Sequence, residues 1–444
     1  MNRKNNRFSK LTRRDFIRRG AVGLAGLAAP MFIPASALGR EGRPAPSERV
    51  TVASIGVGGQ GKYDTEALFR LPDVQLVAVC DVDKRHLEEG KALVEKYYSQ
   101  QRAGGQYRGC DTYSDFREVL AREDIDAVMI ATPDHWHAVI SVAAAQAGKD
   151  IYCEKPLANS IPEGRAVVNA VKRYGRILQT GSHERSRDNA RFACELVRNG
   201  RIGKLHTVRV NMPVDNHGPI PPQPVMPVPP ELDYDFWLGP APWEPYTEKR
   251  VHFWFRYILD YSGGEITDRG AHILDLAQLG MGTDDTGPIS VSGEGWFPPE
   301  GLFNTAMSYR FELEYANGVR VIGESKGPRG IKFEGDKGWI FIYIHGGDLR
   351  AEPASLLREV LLPGELHLGR SRGHHANFIE AVKTRGHVMA PAEVGHRTAS
   401  ICHLINVAMR LKRPLKWDPV REVVQGDDEA NHMLLRSMRS PWRV

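Results

Sequence analysis

Two hydrophobic rhythms divide the chain. In the first part, short apolar runs alternate with amphipathic stretches. The runs are Val50 to Ile55, Val74 to Cys80, Ala127 to Ile130, Asp150 to Cys153 and Ile177 to Thr180. Their length and continuity are those of strands buried on both faces. Helical patterns lie between them, at Ala67, Leu68 and Leu71, from His135 to Ala147 and from Pro162 to Tyr174. Repeated β-α units predict a parallel sheet with helices on both faces. Such sheets bind ligands beyond the carboxyl ends of their strands. Three polar clusters fall at such ends: Thr132 to His137, Glu154-Lys155-Pro156, and Gln179 to Ser182.

Beyond about residue 200 the period shortens to two. Val208, Val210 and Met212 alternate with polar residues, and Met307, Tyr309, Phe311, Leu313 and Tyr315 alternate with Ser308, Arg310, Glu312 and Glu314. That is the pattern of a strand with one solvated face. Asn317-Gly318 predicts a hairpin into Val319 to Ile322, and a second pair flanks Gly335 to Gly338. Helices are predicted at His375 to Thr384 and Glu393 to Leu411, with an irregular tail to Val444. Between Pro213 and Pro242 runs a proline-dense stretch that excludes helix and is long for a simple connection. It suits a lid or subunit contact as well as it suits inert surface wrapping. The fold class is therefore α/β, with a parallel-sheet domain over 48–182 followed by an α/β domain over 183–444 that carries a large, mainly antiparallel open sheet.

The first apolar run leads into Gly56, Gly58, Gly59, Gln60 and Gly61, with G-x-G-x-x-G spacing at Gly56, Gly58 and Gly61. Gly56 permits a tight turn, Gly58 lets a pyrophosphate reach the backbone, and Gly61 lets helix and strand pack closely. The helix N-terminus offers unpaired N–H groups to the phosphates. Asp81 ends the second run 20 residues beyond Gly61, where a carboxylate accepts from the ribose hydroxyls of NAD. Lys84 and Arg85 follow closely and temper any rejection of a 2′-phosphate.

The N-terminus changes the charge picture. Thr12-Arg13-Arg14-Asp15-Phe16-Ile17-Arg18 precedes a mild Gly/Ala-rich run from Ala21 to Pro34 and the small residues Ala35-Ser36-Ala37. This reads as a Tat export signal over 1–37, too short and too mild for a stable membrane anchor, and places the protein in the periplasm or outside the cell. The formal net charge of +5 belongs to that segment, since residues 1–37 hold 8 Lys and Arg and one Asp. The remainder is close to neutral and has no basic stripe, so nothing favours nucleic acid. Five scattered cysteines, with no C-x-x-C, read as buried free thiols.

Lys155 follows an apolar strand directly, between Glu154 and Pro156, and a lysine in a closed pocket can donate or accept a proton. In Gly263 to Asp275, a helix would set Asp268, His272 and Asp275 on one face at i, i+4 and i+7. Such a histidine beside carboxylates suits acid/base work, and a helix start with a core histidine suits the same residues. No metal is assigned, because Asp-x-x-x-His-x-x-Asp lacks an evident fourth ligand.

Together GVGGQG with CDVD, ATPDHWH, CEKPL and GGEITDRGAHILD resemble the Gfo/Idh/MocA family of glucose–fructose oxidoreductases and inositol dehydrogenases, over about Val50 to Pro419. The resemblance implies a Rossmann domain, NAD as cofactor and assembly through the open sheet into homodimers or homotetramers. It implies a sugar or polyol substrate and makes Lys155, Asp268 and His272 the catalytic residues. The cofactor contacts implied are the glycine loop with Asp81 and Arg85, then Thr132, Pro133, His135, Trp136 and His137, then Glu154 and Lys155. Trp136 is expected near the nicotinamide, and His183 and Arg185 are expected to line the substrate cleft with the catalytic three. The expected chemistry is oxidation of a carbinol, with His272 or Lys155 taking the hydroxyl proton and Asp268 orienting His272. The alternative is redox-neutral cleavage of a glycoside through transient oxidation by a bound, unexchanged NAD.

Overall fold

The structure is a computed structural model that describes residues 44–45, 48–100, 109–214 and 218–444. The segment 1–37, read above as an export signal, lies outside them. Six parallel strands form the first sheet: β1 (Val50–Ile55), β2 (Val74–Cys80), β3 (Asp111–Tyr113), β4 (Ala127–Ile130), β5 (Asp150–Cys153) and β6 (Leu178–Thr180). Their order is β3-β2-β1-β4-β5-β6. The chain reverses direction across the sheet between β1 and β4, so a crevice opens there at the carboxyl ends. Helices α1 (Gly59–Phe69), α2 (Lys84–Gln100), α3 (Phe116–Leu120), α4 (Asp134–Gln146) and α5 (Ile161–Arg173) link the strands. This is a Rossmann sheet.

Its first turn depends on glycine at two places. Gly56 has φ +82°, and a Cβ there would lie 2.7 Å from the Ala131 carbonyl carbon. At Gly61 a Cβ would lie 1.9 Å from the Gly56 carbonyl oxygen. Neither contact is tolerable, so strand, turn and helix pack only with these residues bare.

The second domain contains α6 (Asp188–Arg198), β7 (Leu205–Asn211), α7 (Tyr234–Leu238), α8 (Glu265–Asp268) and α9 (Gly270–Met281). Strands β8 (Ser290–Trp296), β9 (Ser308–Glu314), β10 (Arg320–Glu324), β11 (Gly330–Gly335), β12 (Gly338–Tyr343) and β13 (Leu349–Glu352) follow, then α10 (His374–Thr384) and α11 (Ala392–Leu411). The chain closes with β14 (Leu415–Asp418), β15 (Val423–Val424) and α12 (Asp428–Met433). Nine strands pair in the order β13-β12-β11-β7-β10-β9-β8-β14-β15, all antiparallel except β7 with β10. The alternation read in 307–315 sends Tyr309, Phe311 and Leu313 into a core shared with α6, α9 and α11. Fully burying a side chain the size of Phe311 or Phe333 contributes about 1.5–3 kcal/mol.

Helix α11 is the spine between the halves. Of its 20 residues, 16 are buried, and it packs on α5 of the first domain and on α9 and β8 of the second. A helix buried nearly all round can exist only in such a sandwiched place.

Two expectations are corrected. The tail is not irregular, because Leu415 and Trp417 turn inward and carry β14 onto the edge of the sheet beside β8. The proline-dense stretch does contain helix: α7 forms where the prolines pause, capped by the Asp233 carboxylate on the Phe236 N–H. Its earlier part, 218–230, is largely exposed. Its later part docks on the Rossmann domain, with Leu232 bridged to Asp83 and Asp233 N–H donating to the Val82 carbonyl.

Candidate active site

A cavity of about 550 Å³ occupies the crevice. Its Rossmann wall includes Gly56, Gly58, Gly59, Gln60, Asp81, Thr132, Pro133, Trp136, His137, Glu154 and Lys155, and the second domain closes it with Phe236, Trp237, His252, Phe253, Phe255, Arg256 and Asp268. The glycine loop fits a dinucleotide. A Cβ at Gly59 would meet nothing within 4 Å, so the α1 N-terminus is open to a phosphate. Asp81 stands at the end of β2, with Oδ2 accepting from Val57 N–H and Oδ1 from Asp83 N–H, each at 2.9 Å. Each oxygen keeps a further lone pair for a ribose hydroxyl. Burial raises the Asp81 pKa, and those backbone donors pull against the rise.

At the other end, Lys155 Nζ donates to Asp268 Oδ1 at 2.5 Å and to the Asp268 carbonyl at 3.1 Å. Arg256 Nε stands 3.7 Å from the same carboxylate oxygen. Burial opposes ionisation of Asp268, but the Lys155 and Arg256 charges overcome it and hold the carboxyl at about 2. His272 lies in the first turn of α9 and is 4 % exposed. Burial first, then the charge on Lys155, drives its pKa well below the usual histidine value, so the ring is neutral. Its Nδ1 is buried without a partner, and its ring centroid is 4.6 Å from that of His183.

Behind this front stand two buried acids whose pKa values are raised. Glu154 is buried, raised first by desolvation and then by Asp64, and its Oε2 accepts from the Lys155 N–H at 3.3 Å. Asp134 is pushed up to about 7 by burial and accepts from Ser262 Oγ at 2.5 Å. His137 spans two carbonyls, Pro156 at 2.7 Å and Thr132 at 2.9 Å, and so bolts the start of α4 to the Glu-Lys-Pro loop. Trp136 stacks on Phe236 and gives its indole N–H to the Trp237 carbonyl, forming wall rather than rim.

Several sequence-derived placements need correction. His135 does not face the cofactor crevice: its Nε2 meets the Trp237 carbonyl at 3.1 Å, and its ring lies against Trp237 and Tyr261. On α4, Asp134 and His137 share the crevice face at i and i+3, which turns His135 away. Arg185 does not line the substrate end. It is 3 % exposed and bonded to Asp275 at 2.6 Å and to Asp284 at 2.7 Å, a buried ion cluster tying the turn after β6 to α9. That pairing also removes Asp275 from the face of Asp268, since the helix is interrupted between α8 and α9. Arg85 reaches Asp83 and Glu231, both at 3.2 Å, instead of the crevice. Among the described residues no hydrogen bond joins Asp268 to His272; the aspartate orients the lysine instead.

The sequence reading missed Asp134, Arg256 and the aromatic pair Phe253 and Phe255. Asp134 sits inside the ATPDHWH motif and was available to it. The others come from the unmarked run HFWFR, whose role depends on the docking of two domains.

Two family profiles match the chain. One, described as an oxidoreductase family NAD-binding Rossmann fold, covers residues 50–182; the other, described as the C-terminal alpha/beta domain of the same oxidoreductase family, covers 220–444. The chain belongs to the Gfo/Idh/MocA family. Residues 50–182 form the NAD-binding Rossmann domain of that oxidoreductase family. Among its relatives in this family are a myo-inositol 2-dehydrogenase of Thermotoga maritima, 27 % identical over 52 % of this chain and 55 % of the relative. Another is an alpha-N-acetylgalactosaminidase of Shewanella oneidensis, 30 % identical over 38 % of each. The chain thus spans less than two thirds of these relatives' length. The WlbA dehydrogenase of Bordetella pertussis, solved in complex with NADH and UDP-GlcNAcA, superposes with a TM-score of 0.61 at 17 % identity, covering 83 % of this chain and 99 % of that one. That likeness concerns the fold.

Proposed function

We propose that this Gfo/Idh/MocA protein oxidises a hydroxyl-bearing carbon of a sugar, polyol or glycoside, using NAD held through turnover. The observation that carries the reading is the Lys155–Asp268 ion pair in the wall of a dinucleotide crevice, with the neutral, buried His272 near Lys155. The bound dinucleotide supplies the hydride acceptor. His272, neutral, takes the hydroxyl proton. Lys155, fixed by Asp268, donates a hydrogen bond to the same oxygen as negative charge builds on it. Arg256 and Lys155 neutralise Asp268, so the carboxylate does not repel that charge. The aromatic wall from 236 to 255 gives the crevice an apolar side.

A second reading is redox-neutral glycoside cleavage, in which the same hydride returns to the substrate after the aglycone leaves. The alpha-N-acetylgalactosaminidase relative favours it, as does closure of the crevice by the second domain. We further propose export through the N-terminal twin-arginine segment to the periplasm, and assembly of homodimers or homotetramers through the open sheet. No helix among the described residues is long and apolar enough to cross a membrane.

The deciding experiment offers a panel of sugars, polyols and glycosides to the purified protein and follows nicotinamide absorbance and released aglycone together. Redox change or cleavage that disappears in Lys155→Ala supports the reading. Turnover unaffected by Lys155→Ala and His272→Ala alike removes it.

A further inference from the structure

Beyond the hydride site lies a group of side chains to which the proposed chemistry gives no task. His183 and Glu184 begin the 3-10 turn after β6, and His345 stands in the turn between β12 and β13. One ligand atom from each of the three lies within 4.8 Å of the other two. His183 Nε2 is 3.3 Å and His345 Nδ1 3.6 Å from Glu184 Oε1. His345 holds φ +64°, a left-handed conformation that histidine adopts more readily than most residues. Glu184 is 1 % exposed. Its Oε1 accepts from Arg187 at 2.9 Å and from the His345 N–H at 3.1 Å, whereas Oε2 is buried with no donor. A buried carboxylate oxygen left in that state is where an ion or an ordered water belongs, and the two imidazoles gathered at the same carboxylate favour the ion.

We propose that His183, Glu184 and His345 bind one divalent transition-metal ion beside His272. Two imidazoles and a carboxylate suit zinc or a neighbouring first-row ion and leave coordination positions open. The two histidine side chains are 31 % and 37 % exposed and so have room to close on the ion, while the buried Glu184 is the fixed point. The His272 ring lies 4.6 Å from His183 and 5.3 Å from His345, so the open positions adjoin the proton acceptor. An ion there would take two adjacent oxygens of a polyhydroxylated substrate and set the neighbouring carbinol against His272. That role rests on the sugar oxidoreductase reading; the binding of the ion does not.

A second histidine-carboxylate group, Asp83, His86 and His252, lies on the cofactor side of the cavity and supplies the internal control. Chelator-stripped protein, with its nicotinamide cofactor present, is titrated with Co²⁺ alone, followed by its visible d–d absorption and by calorimetry. About one Co²⁺ per chain is expected, displaced by Zn²⁺. Affinity should fall at least tenfold in His345→Ala and in Glu184→Gln, since loss of a ligand costs no less than loss of an outer-shell partner. It should be unchanged in His252→Ala. Matching thermal melts of the variants exclude misfolding as the cause. Absence of binding, or binding that survives His345→Ala and fails in His252→Ala, overturns the site. Co²⁺ binding with the expected pattern in a protein inert towards every sugar keeps the site and counts against the oxidoreductase reading.

Discussion

Lys155 Nζ and Asp268 Oδ1 meet at 2.5 Å although 113 residues separate them. One lies two residues beyond β5 of the Rossmann sheet and the other ends α8 of the second domain. The pair therefore holds the two halves in register at the place where chemistry is proposed.

Breaking that pair should cost more activity than stability. Lys155→Ala is expected to lower kcat by about 10²–10⁴-fold, the range for loss of a positioned acid/base or oxyanion partner. The melting temperature should fall as well, though by less, because Arg256 stays beside the stranded Asp268 carboxylate. Steady-state kinetics beside a thermal melt separates the two effects. Equal collapse of both assigns Lys155 to structure alone.

Asp268 should make stability depend on acid. Its folded-state pKa is depressed to about 2, so the folded protein binds fewer protons at this group than the unfolded chain. The resulting contribution, about 2 kcal/mol, is complete above the unfolded value near 4 and is lost as pH falls towards 2. Urea unfolding at pH 5 and pH 3 should show the loss of about half of this contribution in wild type and a smaller loss in Asp268→Asn. Identical slopes in both proteins would count against the ion pair.

His272 should leave its mark on the rate profile. Since burial and Lys155 hold its pKa well below the usual histidine value, kcat/KM should stay level through the ordinary histidine range and decline only at lower pH. His272→Ala should abolish most turnover and remove that acid limb. A wild-type limb centred in the normal histidine range refutes the assignment.

Cofactor choice and retention are checked together. Acid-denatured protein should release close to one nicotinamide dinucleotide per chain, NAD or NADH rather than NADP. Asp81→Ala should weaken NAD and narrow the gap to NADP by about tenfold or more, read by calorimetry on stripped protein. It also strands the Val57 and Asp83 N–H groups, so a stability loss of about 1–3 kcal/mol is expected. An empty site with rapid exchange of added cofactor defeats retention.

The glycine loop, Asp81 and the strand-end position of Lys155 were legible from sequence because each follows from spacing inside one β-α-β unit. Period-two alternation announced β9 and its hairpin to β10 for the same reason: side-chain direction along a strand is a local property. The tail strand β14, Leu415-Lys416-Trp417-Asp418, has only two apolar positions and did not announce itself, and α7 hid among prolines. What Asp268 would face was not local. Helix spacing alone put it beside His272 and Asp275, yet tertiary packing gave it to Lys155 and gave Asp275 to Arg185. The same holds for His135, turned off the crevice by 100° of helix, and for His345, brought to His183 by a hairpin turn far along the chain. Sequence determines which groups stand at the ends of strands and helices. Which charged groups pair is decided only when two domains close, because burial makes each charge take the best partner within reach, whatever its distance along the chain.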